Sequence, residues 1–297
     1  MSGFFNTLAE IALTMSAVIL LLLLLGPLLS RRYSIRWRYW AWLAVSVRML
    51  LPVNFSLPEA PVRLEPPPDR VVWTAPAPAP SPAAVPSAPP AASPLPAPEA
   101  TVPSQETPQA APAPARSLTL SQVLPWVWGS GAVLLLLWHL VSWLRFQTYV
   151  RRWARPAEPE AQAAAQAQAE ALGISAPVSL LRCPGVAGPM MTGLFRPTVL
   201  LPEEGPAAGD LRFVLRHELT HFRRRDIPYK VLLLCANIVY WFDPLVWIML
   251  RAAEGDMERS CDGDVVKCLA PEERARYGQV ILDAARTGTH LTKGASS

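Results

Sequence analysis

Charge is scarce in this chain. Only 17% of its 297 residues are Asp, Glu, Lys or Arg, against about 25% in ordinary soluble domains, so a purely water-exposed surface is excluded for much of it. Cysteine is scarce too. Cys183, Cys235, Cys261 and Cys268 form no C-x-x-C pair and no metal-ligand spacing, which excludes a disulfide scaffold and a zinc ribbon; four reduced thiols are expected. The net charge of +4 and pI near 9.0 do not argue for nucleic acid, because the arginines cluster beside apolar runs, where loops on the inner side of a membrane need them.

Apolar runs and proline are abundant instead. Phe4 to Leu29 is almost unbroken apolar sequence with Glu10 as its one charge, long enough for a hydrocarbon core of about 30 Å. It is too long, and too poor in positive charge at its start, for a cleaved signal. Arg31, Arg32, Arg36 and Arg38 follow. A second, shorter span is expected from Tyr39 to Val53, with Trp37, Tyr39, Trp40 and Trp42 as an aromatic belt and with Arg48 inside, read as a snorkelling or ion-paired side chain. A third span is expected from Leu120 to Leu144, containing His139 and followed by Arg145, Arg151, Arg152 and Arg155. Both arginine clusters belong in the cytoplasm by the positive-inside rule. The N-terminus and the segment between spans two and three then lie outside, and the chain from Arg145 onward lies inside.

More than half of the 33 prolines fall between Pro58 and Pro114. Proline removes backbone donors and fixes φ, so residues 56–118 read as an extracytoplasmic linker without ladder or helix. The organisation expected is two spans in 1–55, the linker in 56–118, a third span in 119–145, a cytoplasmic domain in 146–284 and a disordered tail in 285–297. Within that domain, residues 158–172 are rich in Ala, Gln and Glu and favour helix. Val178–Leu181 and Thr198–Leu201 read as strands. Asp210 is placed to cap a helix carrying Leu211, Val214, Leu215, Leu219 and Phe222.

On that helix lies His217-Glu218-Leu219-Thr220-His221. Positions i and i+4 share a helix face, so both imidazoles can reach one Zn²⁺, while the adjacent glutamate can take a proton from water. A third ligand is needed, with one position left open. Glu254, Asp256, Glu258 and Asp262 are candidates, and Glu254, Glu258 and Asp262 are spaced to share a face. Between the motifs lies the apolar run Val231–Leu250. A single crossing would put His221 and Glu258 on opposite sides of the membrane. Asp243-Pro244 breaks the run, since the residue before proline avoids helix and Asp before Pro starts a new one. A re-entrant or interfacial helical hairpin over 231–250 is expected, returning the chain to the side it left.

These features together resemble the BlaR/MecR-type membrane zinc metallopeptidases. The residues that carry the resemblance are Arg36-Trp37-Arg38-Tyr39, Gly188-Pro189 through Arg196-Pro197, Leu201-Pro202, the His217–His221 pentapeptide, Trp241-Phe242-Asp243-Pro244-Leu245-Val246-Trp247 and Glu258-Arg259-Ser260-Cys261-Asp262. The resemblance implies that His217, His221 and Glu258 hold Zn²⁺, that Glu218 is the general base, and that Asp262 orients a ligand histidine. It implies a strand near Thr198–Leu201 as the edge that pairs an extended substrate. It also implies endopeptidase action on a cytoplasmic or membrane-proximal protein, such as a transcriptional repressor. Antibiotic receptors of this kind carry a penicillin-binding sensor domain, but no S-x-x-K motif occurs in these 297 residues, so β-lactam sensing is not expected. A housekeeping membrane-quality-control protease is an alternative role, as is a signalling scaffold with structural zinc. Arg216, Arg223 and His290 are the oxyanion candidates. The expected fold is mainly α, with three transmembrane helices and a small α+β HExxH domain. The expected partners are lipid bilayer and protein substrate, not nucleic acid.

Overall fold

A computed structural model describes residues 2–30, 36–51, 71–74, 117–207 and 209–294. The chain divides into a larger unit, residues 1–64 with 129–297, and a smaller one, residues 65–128. Arg31, Arg32 and most of the proline-rich tract lie outside the described residues. Within the smaller unit, β1 (Val71–Thr74) and β2 (Ser117–Thr119) pair antiparallel. No ladder was expected there. These two segments are free of proline, so they keep the backbone donors that the intervening Ala-Pro repeats lack.

Helix α1 spans Ser2–Ser30, α2 Arg36–Leu50 and α3 Leu120–Trp153. Two of them are long and apolar enough to cross a membrane, over Phe4–Gly26 and Gln122–Trp153. The expected second span falls short of that. Helix α2 has 15 residues, about 22 Å at 1.5 Å per residue, and its Tyr39, Trp42, Val45, Ser46 and Met49 are buried against neighbouring helices. Arg48, expected to snorkel or to pair with an acid, instead donates to the Leu51 carbonyl at 3.0 Å, a helix-end acceptor.

After β3 (Arg155–Pro156), α4 runs from Pro159 to Ala171 and buries Ala161, Ala165 and Ala169 at four-residue spacing. Its Gln162 and Gln166 side chains bond the backbone at Val178 and Leu180, tying the helix to β4 (Ser179–Arg182). β5 (Met190–Thr192) and β6 (Thr198–Leu201) complete a sheet of order β3-β4-β6-β5, in which β4 and β6 are parallel and the other pairs antiparallel. Helices α4 and α5 (Leu211–Arg224) cover one face. The core there joins Leu180, Val199 and Leu201 to Phe213, Leu215 and Leu219. Phe146 and Val150 of α3 pack on the other face against Cys183, Val186 and Leu200. All four cysteines are free thiols.

The hairpin is present. Helix α6 spans Asp226–Val239 and α7 spans Pro244–Lys267, with the Asp243 carboxylate accepting from Leu245 N at 2.9 Å. Tyr229 donates to the Tyr39 carbonyl at one end of α2, and Tyr240 to the Met49 carbonyl at the other, so α6 runs parallel to α2. The turn is level with Ser16 of α1, whose hydroxyl bonds Asp243. The Arg38 guanidinium lies against Gly26 at the far end of the α1 span. Ser16 to Gly26 is about 15 Å of helix, so the hairpin turn lies about 15 Å along α1 from the end of that apolar stretch. Helix α8 then runs from Pro271 to Gly294. A disordered tail from 285 had been expected, but 285–294 contains no proline to stop the helix.

Candidate metal centre

Helix α5 carries the motif on its inward face, where His217, Glu218 and His221 are all buried. A single residue, Arg225 in the left-handed region at φ 60°, separates α5 from α6. That corner starts α6, the first arm of the hairpin, and α7, the second arm, returns Glu258 to the motif. His217 Nε2 and His221 Nε2 are 3.2 Å apart, and Glu258 Oε2 lies 3.1 Å from His221 Nε2 and 3.6 Å from His217 Nε2. Three donors of a tetrahedral zinc at about 2.05 Å stand about 3.3 Å from one another. The triangle of donor atoms therefore fits one such ion. Cys261, one turn along from Glu258, also lies near: its Sγ and a ring nitrogen of each histidine fall within 4.8 Å of one another. Only Glu258 of the two lines the cleft, of about 500 Å³, that His217, Glu218 and His221 also line.

The far nitrogens of the imidazoles are held as well. His217 Nδ1 lies 2.9 Å from Tyr277 Oη and 3.2 Å from Asp262 Oδ1, and Tyr277 donates to Asp262 at 2.7 Å. His221 Nδ1 lies 2.7 Å from Asp226 Oδ2. Asp226 is 1% exposed and also accepts from Tyr39 Oη at 3.1 Å, with Arg224 Nε at 3.3 Å. Arg224 continues to Ser260 and Asp264, both at 3.0 Å. Sequence reasoning missed Asp226 and Tyr277. An acid at the first position of a helix ordinarily answers the helix dipole, which hides a role toward His221. Tyr277 lies 60 residues from His217, beyond any local spacing rule.

Electrostatics follow from this packing. Burial would lower both imidazoles, but hydrogen bonds to Asp262 and Glu258 raise His217 to about 10, and bonds to Asp226, Cys261 and Glu258 raise His221 to about 12. Burial raises the Glu218 carboxyl above the usual carboxylate range, against the pull of both histidines. Burial also works against the charged forms of Glu258 and Asp262, yet the histidines hold both carboxylates well below that range.

Other expected residues fall elsewhere. Glu254 is exposed. Asp256 is 1% exposed, accepts from Trp42 Nε1 at 2.9 Å and sits 2.9 Å from Arg38 Nε, so it secures α2 to α7. Asp210 stands at the start of α5 but makes no cap bond. Its backbone is already helical, and its carboxylate is taken by Arg276 at 2.7 and 2.8 Å. The Thr198–Leu201 strand is not an edge: β6 sits between β4 and β5. The hairpin turn at Gly193–Pro197 lays β5 outside it, and the free edge beside the cleft is β5, with Met190 and Met191 in the cleft wall. Arg216 and Arg223 do not line the cleft; Lys230 does, 3.4 Å from Glu258 Oε1. The His290 side chain lies outside the described ones.

Comparison with known proteins finds relatives of this chain. The "Regulatory protein BlaR1" of Bacillus licheniformis is 40% identical over 107 residues, 35% of this chain and 18% of its own length. The "Methicillin resistance mecR1 protein" of Staphylococcus aureus is 30% identical over 100 residues, 33% of this chain and 17% of its own length. The chain thus aligns with less than a fifth of these relatives. Residues 6–294 match the BlaR1 peptidase M56 family, and the chain belongs to that family.

Proposed function

We propose that the protein is a membrane zinc endopeptidase, with His217, His221 and Glu258 as metal ligands and Glu218 as general base. The observation that carries this reading is the triangle of donor atoms with edges of 3.1–3.6 Å, opening on a cleft that Glu218 also lines. When bound, zinc supplies Lewis acidity toward a peptide carbonyl and a water molecule. Glu218 takes the proton of the attacking water and returns it to the leaving amine nitrogen; its raised pKa suits both directions of transfer. Asp262 with Tyr277 orients His217, and Asp226 orients His221. The free edge of β5 pairs an extended substrate by strand addition, its backbone groups fixing the scissile bond along the cleft.

In the same reading the domain 146–284 faces the cytoplasm, with the N-terminus and the 56–118 linker outside, and the substrate is a cytoplasmic or membrane-proximal protein. The relatives' names, a regulatory protein and a resistance protein, support a signalling role such as inactivation of a repressor. The test uses full-length protein in nanodiscs with an internally quenched peptide library. Wild type is expected to hold about one zinc per chain and to cleave. Glu218→Gln is expected to keep zinc and lose cleavage, and Glu258→Ala to lose both. A fully active Glu218→Gln protein, or zinc-free wild type prepared without chelators, would overturn the reading.

A further inference from the structure

The turn between β5 and β6 is built to present apolar side chains outward. Gly193 has φ +88°, and a Cβ there would stand 2.1 Å from the Arg196 carbonyl oxygen, so the tight turn requires glycine. Leu194 and Phe195 at its tip are 47% and 84% exposed. Nothing in the catalytic arrangement uses them. Beside the tip lies a concavity of about 720 Å³ that the turn shares with Phe222, Ile227, Pro228 and Val231, and that is rimmed by Arg223 and Arg225. Arg196, Arg223 and Arg225 are exposed, while Asp226, the acid in the adjoining 222–231 segment, is buried and turned to His221.

The depth of this surface is fixed by α6. Its first residue, Asp226, bonds Tyr39, the neighbour of Arg38, which lies against Gly26 at the end of the α1 span. The start of α6 is therefore level with the edge of the hydrocarbon layer. Val231, half-exposed, lies about 7 Å further along the helix. Apolar groups thus sit at and just below that edge, with three arginines around them. Aromatic and aliphatic groups inside a ring of cations fit the boundary between acyl chains and acidic headgroups.

We infer that the Gly193–Arg196 turn is a membrane wedge: Leu194 and Phe195 enter the acyl boundary of an anionic bilayer while Arg196, Arg223 and Arg225 bind its headgroups. The consequence is positional. The concavity and the catalytic cleft share Ile227, so the wedge holds the β5 edge at the lipid surface and selects substrates whose cleavage site lies within a few residues of the membrane.

The inference rests on the membrane placement proposed above, and its test separates the two. Phe195→Cys is made in full-length protein bearing Cys235→Ser and Cys268→Ser, which removes the two exposed thiols. It is labelled with a polarity-sensitive fluorophore and placed in nanodiscs with or without phosphatidylglycerol. Val133→Cys, within the α3 span, and Glu170→Cys, on exposed α4, are labelled alongside. The expected result is blue-shifted emission at 195, quenched by lipid carrying a nitroxide high on its acyl chain and shielded from iodide. The shift should be stronger in anionic discs and reduced by Arg196→Glu with Arg223→Glu. Quenching of 195 by iodide as complete as at 170, with 133 still quenched by lipid, overturns the wedge alone. Loss of lipid quenching at 133 overturns the membrane placement and the wedge with it. Shielding at 195 that grows with protein concentration in detergent would assign the surface to a second copy and also overturn the wedge. None of these readouts depends on zinc or cleavage.

Discussion

Asp226 offers the sharpest test of how the proposed metal centre would be held. Its carboxylate receives His221 Nδ1 at 2.7 Å, Tyr39 Oη at 3.1 Å and Arg224 Nε at 3.3 Å while almost fully buried. Asparagine is nearly isosteric. Its carbonyl can still accept from His221, and its amide can donate to the Tyr39 oxygen, so geometry survives and charge is lost. Loss of an outer partner of a ligand histidine lowers metal affinity about 10- to 100-fold, or about 1.4–2.8 kcal/mol. Asp226→Asn should fall near the lower figure. Asp226→Ala should approach the upper one, because it also leaves the Tyr39 hydroxyl without its acceptor, at about 1–3 kcal/mol. Competition against a fluorescent zinc chelator, in nanodiscs at fixed pH, measures both. Tyr277→Phe, which removes one of the two partners of His217 Nδ1 and leaves Asp262 in place, serves as an internal comparison. Zinc affinity within twofold of wild type in Asp226→Ala would refute the idea that this carboxylate orients His221.

Protons should compete with zinc. His217 and His221 are raised to about 10 and about 12 in the metal-free site, so metal binding near neutral pH releases protons from both and affinity falls as pH falls; calorimetry in buffers of different ionisation enthalpy counts them. The same shifts make the metal-free protein sensitive to alkali. The histidines' contribution to stability is complete below about 6.5, their free value, and is lost as pH rises through about 10 and about 12, so melting temperature after EDTA treatment should drop between pH 6 and 10. Asp256→Ala should destabilise by about 3–5 kcal/mol, as removal of one partner from a buried ion pair does, measured by thermal unfolding in detergent, whereas exposed Glu254→Ala should leave stability and zinc content unchanged. Gly131→Leu should loosen α3, because even a Cβ there would stand 2.3 Å from the Trp241 ring at the hairpin turn; reduced protease resistance of the hairpin would report it.

The parts of the site legible in the sequence were those with local rules. Four-residue spacing put His217 and His221 on one face and let Glu254, Glu258 and Asp262 share another, and the family resemblance, not the spacing, pointed to Glu258 among them. Asp243-Pro244 disclosed the hairpin because one proline changes both backbone preference and helix register. What stayed hidden depends on distant chain. The apolar composition of Tyr39–Val53 reads as a span, but it is equally the composition of a short helix buried among α6 and α7, and hydropathy cannot separate them. Thr198–Leu201 has the residues of a strand, while its place inside the sheet follows from β5, three residues without strong pattern. Asp210 has the chemistry of a cap but is taken by Arg276, 66 positions away.

The Asp243 carboxylate that starts α7 is also bonded to Ser16, halfway along the first helix. A buried carboxylate needs a partner, and α1 supplies one at a single height and on a single face. The first helix is therefore a template rather than a tether. Another hydrophobic segment of equal length would lack Ser16, leaving the hairpin turn without its hydroxyl and the return of α7, with Glu258 about four turns further on, without a fixed origin.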